Sequence, residues 1–465
     1  MYQTTIFDIM YPKYKITKPI RLIELFAGYG SQALALKYLG VKFEHWKICE
    51  WAVKSIQAYK DIHFTDDTRN YSEVASKEEI QEMLLKWGIS SNYNEPMTRE
   101  QINRLSEEQL RTIFNNISAT NNLVNIQDVK GDDLAIVNKD EYDYILTYSF
   151  PCQDLSLAGK GKGMADTSTR SGMLWEVERI LNELKTTNSL PQILLMENVP
   201  QVHGSDNVEH FNKWQLALEN MGYKNYFQDL IATDYGIPQT RNRCFMVSIL
   251  GDYSYSFPKP IPLKLKLKDL LEKEVGEKYY LSDKQIKCLS SDKVYKNGYI
   301  RGNQFKKNIN PDVCTTITAS SSDRASDTFI SIKNATKKVY LEATDNGGKD
   351  RGVCVGTYQY AKSDKFMNGK DRLQLGKETS DTLQTTPKEG VCYNDLRIRK
   401  LTPRECGRLM GVKDKDITNM LKNQSNSSAY HCFGDSIICT VLCAIFGELF
   451  NIDYKNLIES WNYNE

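Results

Sequence analysis

The sequence predicts an α/β fold with a doubly wound mixed sheet, together with a smaller β-rich domain. Up to residue 257, strand-like apolar segments alternate with helical patterns. From residue 258, short Thr-, Ser-, Gly- and Asn-rich pieces with alternating apolar residues take over, and a helical pattern returns after residue 398. We therefore predict domains at 1–257 and 258–398, with 399–465 returning to complete the first.

The first predicted strand and helix lie in RLIELFAGYGSQALALKYLG, residues 21–40. Leu22 and Leu25 belong to the strand, Gly28 and Gly30 to a turn, and Gly40 ends the helix. Such a glycine turn lets the backbone approach a ligand closely at a helix N-terminus. The turn alone is weak evidence for a binding site.

The second predicted strand ends at Glu50, some twenty residues beyond the glycine turn, with Trp51 next to it. A carboxylate at this place can accept hydrogen bonds from both hydroxyls of a ribose, and an indole can stack on an adenine. Alternatively, the two residues merely start a helix. The combination indicates a cofactor that carries a nucleoside, with NAD and S-adenosylmethionine both open.

A charged segment at residues 65–124 predicts an inserted pair of helices. Both TREQINRL and SEEQLRTIF begin with Ser or Thr and carry Gln three residues on, which is the pattern of a capping box. We interpret this insert as decoration, with a role in binding a partner as the alternative.

Three further segments carry reactive side chains where strands end or begin. Cys152 follows an apolar segment in TYSFPCQDLSLAGKGKG, and is either a small core residue or a nucleophile that faces a ligand crevice. Glu197 ends another strand in MENVP, where a carboxyl can hold or donate a proton. Arg241 and Arg243 alternate at the entry to a strand, which predicts that both point to one face; ordinary salt bridges are the alternative.

Composition narrows the class of protein. The chain has 465 residues, 40% hydrophobic and 26% charged, no apolar run of about 18 residues and no signal-peptide pattern, which predicts a cytoplasmic protein without a membrane segment. Eleven cysteines without C-x-x-C and five histidines without H-x-x-x-H predict reduced thiols and no metal. Residues 258–398 hold 26 Lys and Arg against 18 Asp and Glu, so this region favours a polyanion as partner, or is an ordinary lysine-rich surface.

The order of these motifs resembles that of the cytosine-5 DNA methyltransferase family, of the bacterial or phage type. The resemblance runs through FAGYG, EW, SFPCQDLSLAGKGKG, ENV, QTRNR, RKLTPRECGRLMG and FGDSI, over nearly the whole chain. Residues 248–399 match poorly, and the family keeps its variable target-recognition domain there. The resemblance therefore implies a Rossmann-like methyltransferase domain that uses S-adenosylmethionine, and a recognition domain that binds double-stranded DNA.

The resemblance also implies a mechanism. Cys152 would attack C6 of a flipped-out cytosine, after which C5 takes the methyl group. Glu197 would engage N3 and the exocyclic amine, Arg243 would hold O2, and Arg241 would support the carboxylate.

Two larger sets of contacts are implied. For S-adenosylmethionine, with S-adenosylhomocysteine as product, they are Phe26, Gly28, Gly30, Glu50, Trp51, Asp128, Val129, Pro151, Leu174, Asp435 and Ile437. For DNA they are Gln153, Ser156, Lys160, Lys162 and Arg170, in a glycine-rich loop that closes over the base. Ser31 and Asp435 depart from the family pattern, which more often has Gly and Asn, and the 65–124 insert is longer than usual.

The leading hypothesis is a monomeric DNA cytosine-5 methyltransferase, for which a cognate restriction endonuclease is a candidate partner. A tRNA cytosine-5 methyltransferase on the same scaffold and a catalytically silent DNA-binding relative are the alternatives. The large basic region favours DNA, and the intact Cys152, Glu197 and arginines favour an active enzyme. The sequence does not specify the target site.

Overall fold

The computed structural model describes residues 11–151, 171–291, 301–319, 324–333, 355–357, 374–376 and 396–463. Its strands are β1 (Ile20–Leu25), β2 (Phe43–Cys49), β3 (Asp143–Tyr148), β4 (Ile193–Asn198), β5 (Tyr223–Ile231), β6 (Asn242–Leu250), β7 (Phe329–Lys333), β8 (Val355–Thr357), β9 (Gln374–Gly376) and β10 (Leu396–Lys400). Its helices are α1 (Ser31–Tyr38), α2 (Val53–His63), α3 (Lys77–Trp87), α4 (Arg99–Asn103), α5 (Glu107–Ala119), α6 (Leu174–Thr186), α7 (Val208–Asn220), α8 (Asp283–Leu289), α9 (Arg301–Lys307), α10 (Pro403–Leu409), α11 (Asp414–Leu421), α12 (Asn426–Gly434), α13 (Cys439–Phe450) and α14 (Tyr454–Glu459).

Six of these strands form a mixed sheet in the order β2-β1-β3-β4-β6-β5. The pairs from β2 to β4 are parallel, and β6 runs antiparallel to both β4 and β5. Every residue of β1, β3 and β4 is buried, as expected for strands covered by helices on both faces. The predicted α/β fold with a mixed sheet is confirmed.

One face of this sheet packs against α6 and α7. Leu174, Val177 and Leu181 of α6 are fully buried, and so is Trp214 of α7. They join one hydrophobic cluster with residues of β1, β3 and β4. The carboxyl ends of the parallel strands are thereby held at one edge of a rigid layer.

The insert contains three helices, α3, α4 and α5, where the sequence predicted a pair. The capping boxes predicted at Thr98 and Ser106 are present. The additional helix, α3, begins at Ser76 with a capping box to Glu79, which is the same pattern. The insert also has its own hydrophobic cluster, which includes Leu84 of α3 and others from α4 and α5.

Helix α13, in the C-terminal part of the chain, packs on α1. Cys443 donates its S–H to the carbonyl of Ala35, and the flanking residues of α13 are buried almost throughout. Residues 426–450 are long and apolar enough to cross a membrane by length and composition alone. However, 83% of the apolar 18-residue window within this segment is buried inside the protein. Burial of this kind is typical of a core helix.

The chain divides into two compact units. The first comprises Met1–Lys273, Pro311–Asp327 and Thr402–Glu465, and the second comprises Glu274–Asn310 and Thr328–Leu401. Residues 258–273 and 311–327, which we had placed with the second domain, pack with the first unit. In the second unit, the described residues contain α8, α9 and the antiparallel pairs β7–β10 and β8–β9. Its β-rich character stays a prediction.

Candidate active site and cofactor pocket

The turn after β1 is held in left-handed backbone conformations. Phe26, Gly28 and Gly30 have φ angles of 58°, 56° and 81°. A Cβ on Gly30 would lie 2.4 Å from Nε2 of His63, whereas one on Gly28 would meet no atom within 4 Å. Packing therefore requires glycine at position 30, and Gly28 borders open space. Phe26 is strained for a residue with a side chain, and such strain concentrates at functional sites.

Glu50 ties this turn to the end of β2. Its carboxylate accepts hydrogen bonds from the backbone N–H of Gly28, at 2.9 Å, and of Ala52, at 2.7 Å. Asn122 holds the backbone of Glu50 from both sides, since its Oδ1 accepts from Glu50 N–H at 3.0 Å and its Nδ2 donates to the Glu50 carbonyl at 2.8 Å. Loss of water raises the pKa of Glu50 to about 7, and the negative charge of Asp435 adds to the rise. Lone pairs of the carboxylate remain for further donors.

Apolar residues from three segments meet below this turn. Val129 and Leu174 are buried members of one cluster, and Phe26 packs against it. Ile437 is 4% exposed, Pro151 is half-buried, and Asp128 is exposed and accepts a hydrogen bond from Asn125. Of the three carboxylates among the predicted cofactor residues, Glu50 lies in the turn beside this apolar wall, whereas Asp128 and Asp435 are exposed.

Glu197 at the end of β4 lies in a polar environment. Its Oε1 is 3.1 Å from Nε of Arg243 on β6, and its Oε2 accepts a hydrogen bond from the hydroxyl of Ser149, directly after β3. The whole Glu197 residue is only 6% exposed. A guanidinium on one oxygen and a hydroxyl on the other fix the orientation of this carboxylate.

Arg241 precedes β6 and is 4% exposed. It donates hydrogen bonds to the carbonyl of Ile317, at 3.0 Å, and to the carbonyl of Ser436, at 2.6 Å. It therefore joins the entry of β6 to two distant segments of the same unit. Arg243, for which we predicted contact with the substrate, makes the ion pair with Glu197.

A model of the C-5 cytosine-specific DNA methylases matches residues 97–451 of the chain. The chain belongs to this family. As a member it is an enzyme of the DNA (cytosine-5) methyltransferase class, whose fold and activity imply S-adenosylmethionine as cofactor and DNA as substrate.

Relatives of this cytosine-5 methyltransferase include bacterial and phage proteins. It is 31% identical to the type II methyltransferase M2.ScrFI of Lactococcus lactis subsp. cremoris, over 93% of this chain and 99% of that protein. It is 39% identical to the orphan methyltransferase M.SssI of Spiroplasma monobiae, over 51% of this chain and 61% of that protein. The solved structure of the Entamoeba histolytica methyltransferase EhMeth matches 94% of this chain and 99% of its own, with a TM-score of 0.54 at 14% identity, a likeness that shows the fold alone.

Several predicted site residues of this methyltransferase lie outside the described residues. They are Cys152, Gln153, Ser156, Lys160, Lys162 and Arg170. The described chain reaches Pro151, three residues after β3 ends at Tyr148. Their roles stay predictions.

The structure adds two residues that sequence analysis missed. Ser149 contacts Glu197, and Asn122 fixes the backbone of Glu50. Ser149 is the first residue of the matched SFPCQDLSLAGKGKG motif, so the sequence did carry a signal for it. Asn122 is one of several asparagines in TNNLVN, which carries no distinguishing pattern.

A cluster with metal-binding donor types includes Cys244, which lies next to Arg243 on β6 and is close enough to Glu197 for that charge to act on it. His203, Asp229 and Cys244 bring one ligand atom each to within 4.8 Å of one another. The His203 and Asp229 side chains are 2.9 Å apart, so a hydrogen bond accounts for that contact without an ion. The expected absence of a metal stays a prediction.

Proposed function

We propose that this enzyme methylates C5 of a cytosine flipped out of a specific sequence in duplex DNA, with Cys152 as the nucleophile. The observation that supports the proposal best is the buried Glu197 carboxylate, oriented by Arg243 and Ser149. Ser149 connects this carboxylate to the segment that continues to Cys152. The Glu197 carboxylate, the Arg243 guanidinium that would bind the cytosine and the Cys152 thiolate would therefore lie close together at the ends of neighbouring strands.

Covalent attack is needed because C5 of cytosine is a poor nucleophile. Addition of the Cys152 thiolate to C6 makes an enamine, and C5 then takes the methyl group. Loss of the C5 proton and expulsion of the thiolate restore the ring. Glu197 would hold N3 and the exocyclic amine while Arg243 holds O2, so charge developing on the ring is stabilised.

The residues of the glycine turn fit S-adenosylmethionine. Gly28 borders open space, and the Glu50 carboxylate beside it can accept hydrogen bonds from ribose hydroxyls. When bound, the cofactor supplies an electrophilic methyl group. Glu50 orients the nucleoside, and the apolar wall of Phe26, Val129 and Leu174 excludes water from it.

Flipping costs a few kcal/mol, because the target base must leave its stack. The loop from Gly159 to Gly172 would supply the compensation by closing on the DNA, with Gln153 and Ser156 near the vacated space and Lys160, Lys162 and Arg170 on phosphates. The second unit, Glu274–Asn310 with Thr328–Leu401, would provide base-specific contacts. The enzyme would act as a monomer in the cytoplasm of a bacterium or a phage-infected cell, and a restriction endonuclease of the same specificity is a candidate partner.

Bisulfite sequencing tests this proposal. Genomic DNA from cells that express the protein should carry 5-methylcytosine at one recurrent sequence, and DNA from cells that express Cys152→Ser should carry none. Bisulfite treatment of tRNA from the same cells provides the contrast. Methylation of tRNA with unmodified DNA would replace the DNA proposal, and no methylation of either by a protein that folds would leave a silent DNA-binding protein.

A further inference from the structure

We propose that the 65–124 insert forms part of the S-adenosylmethionine site, with Tyr93 as a positioning residue that holds the C-terminal segment beside Glu50. The inference rests on the proposed function, because it assigns the turn at Glu50 to the cofactor. It replaces our interpretation of the insert as decoration.

The backbone of the insert pairs with the residues that directly follow Glu50. Ser90 is fully buried and forms a backbone bridge with Ala52. Its N–H donates to the Trp51 carbonyl at 2.8 Å, and its own carbonyl accepts from Val53 N–H at 2.9 Å. The backbone that positions Trp51 is thus part of a small pairing with the insert.

The other end of the insert holds Glu50 itself. The side chain of Asn122 accepts a hydrogen bond from the Glu50 N–H and donates one to the Glu50 carbonyl, as the backbone of a neighbouring strand would. Trp51 and Val53 pack against the hydrophobic cluster of the insert, which contains Leu84 and Leu110. Hence the cofactor carboxylate and its neighbouring indole rest on the insert as well as on the sheet.

Tyr93 reaches from the insert to α12, in the C-terminal part of the chain. Its ring centroid lies 3.8 Å from that of His431, and its hydroxyl lies 3.9 Å from Sγ of Cys432. Tyr93 has a φ of 64°, which costs free energy for a residue with a bulky side chain. A strained tyrosine is retained only where surrounding contacts hold it. Here those contacts are made with Ser55 on α2 and with His431 and Cys432, on the segment that leads to Asp435.

His431 connects Tyr93 to Asp435. Its Nε2 is 3.1 Å from Oδ2 of Asp435 at the end of α12. Burial raises the pKa of Glu50, and the charge of Asp435 adds to this rise, so Asp435 is within electrostatic range of Glu50. Stacked against Tyr93, the imidazole is held next to Asp435. Tyr93 acts through His431 and does not itself touch the reacting atoms.

In this arrangement Asp435 is a second carboxylate whose charge acts on Glu50. An extra carboxylate beside Glu50 would disturb a ribose site unless a partner fixed its position. His431 is that partner, and Tyr93 of the insert keeps it in place. Tyr93 of the insert, His431 and Asp435 are therefore linked by a continuous series of contacts.

Calorimetric titration with S-adenosylhomocysteine, together with steady-state kinetics, tests the proposal. Tyr93→Ala should raise the Kd and the KM for the cofactor about five- to tenfold while kcat at saturating cofactor stays within about twofold, the pattern of lost ground-state and transition-state binding alike. Tyr93→Phe keeps the ring on His431 and should bind within about twofold of the wild type. Val74→Ala is the control, because Val74 lies in the same insert and is 87% exposed; the cofactor affinity of this variant should be unchanged.

A double-mutant cycle with Asp435→Asn separates positioning from general destabilisation. If Tyr93 acts through His431 on Asp435, Tyr93→Ala should cost much less affinity in the Asp435→Asn background. Equal costs in both backgrounds, or an unchanged Kd for Tyr93→Ala in protein with wild-type melting temperature, would refute the inference. Failure of the wild type itself to bind the cofactor would instead refute the proposed function.

Discussion

Cofactor affinity should depend on pH through Glu50. Its pKa in the free protein is raised to about 7, so the carboxyl carries a proton below neutral pH. Ribose hydroxyls donate to the ionised form, and the ligand therefore selects the carboxylate. Affinity should rise as the pH increases through 7.

The size of this effect follows from the ionised fraction. With a pKa of about 7, about nine-tenths of Glu50 is ionised at pH 8 and about one-tenth at pH 6. The apparent Kd equals the intrinsic Kd divided by the ionised, binding-competent fraction. It should therefore rise about tenfold as the pH is lowered from 8 to 6. That change corresponds to about 1.4 kcal/mol of binding free energy.

Titration calorimetry with S-adenosylhomocysteine at pH 6, 7 and 8 measures it. The α-amino group of the ligand also titrates near this range, and Glu50→Gln provides the control because the ligand is the same in both proteins. The difference in pH dependence between wild type and Glu50→Gln isolates the carboxyl. Identical pH dependence in the two folded proteins would show that Glu50 does not exchange a proton on binding, and the argument from its pKa would fail.

Three predictions concern stability. Burial raises the pKa of Glu24 from 4.5 to about 7, so its stabilising contribution is complete below pH 4.5 and is lost as the pH rises through 7; relative to Glu24→Gln, the wild type should lose about 3 kcal/mol of unfolding free energy in urea between pH 4.5 and 8. Gly30→Ala should lower the melting temperature more than Gly28→Ala, since both have positive φ but only Gly30 is packed against His63; equal melting temperatures would contradict this. Arg241→Met should cost about 2–4 kcal/mol in chemical denaturation, because two buried carbonyls lose their donor, and a cost below about 1 kcal/mol would show that they find others.

The sheet was predictable because its central strands are buried on both faces. β3 and β4 therefore appear in the sequence as mainly apolar runs, and β1 as apolar residues interrupted by Arg21 and Glu24. Local capping patterns also located two helices of the insert, at Thr98 and Ser106. The pattern at Ser76 is of the same kind, so the third helix was predictable as well and was missed.

The contacts of the site were less predictable, since they join segments that are distant along the chain. Glu197 and Arg243 meet because β4 pairs with β6, a pairing that no local pattern specifies. Alternation predicted that Arg241 and Arg243 share a face, but the strand begins at Asn242. Arg241 lies before it, so the strand period does not apply and its side chain reaches the carbonyls of Ile317 and Ser436. Tyr93 has no periodic neighbours, and only the tertiary structure connects it to His431.

Covalent trapping tests the central claim most directly. Duplex DNA that carries 5-fluorocytosine at the methylated position cannot lose a proton from C5, so the thiolate should remain attached to C6. Incubation with the wild-type protein and S-adenosylmethionine, followed by digestion and mass spectrometry, should yield a DNA adduct on the peptide that contains Cys152, and Cys152→Ser should yield none. An adduct on a different cysteine, or none from a protein that methylates ordinary DNA, would contradict the assignment of Cys152 as the nucleophile.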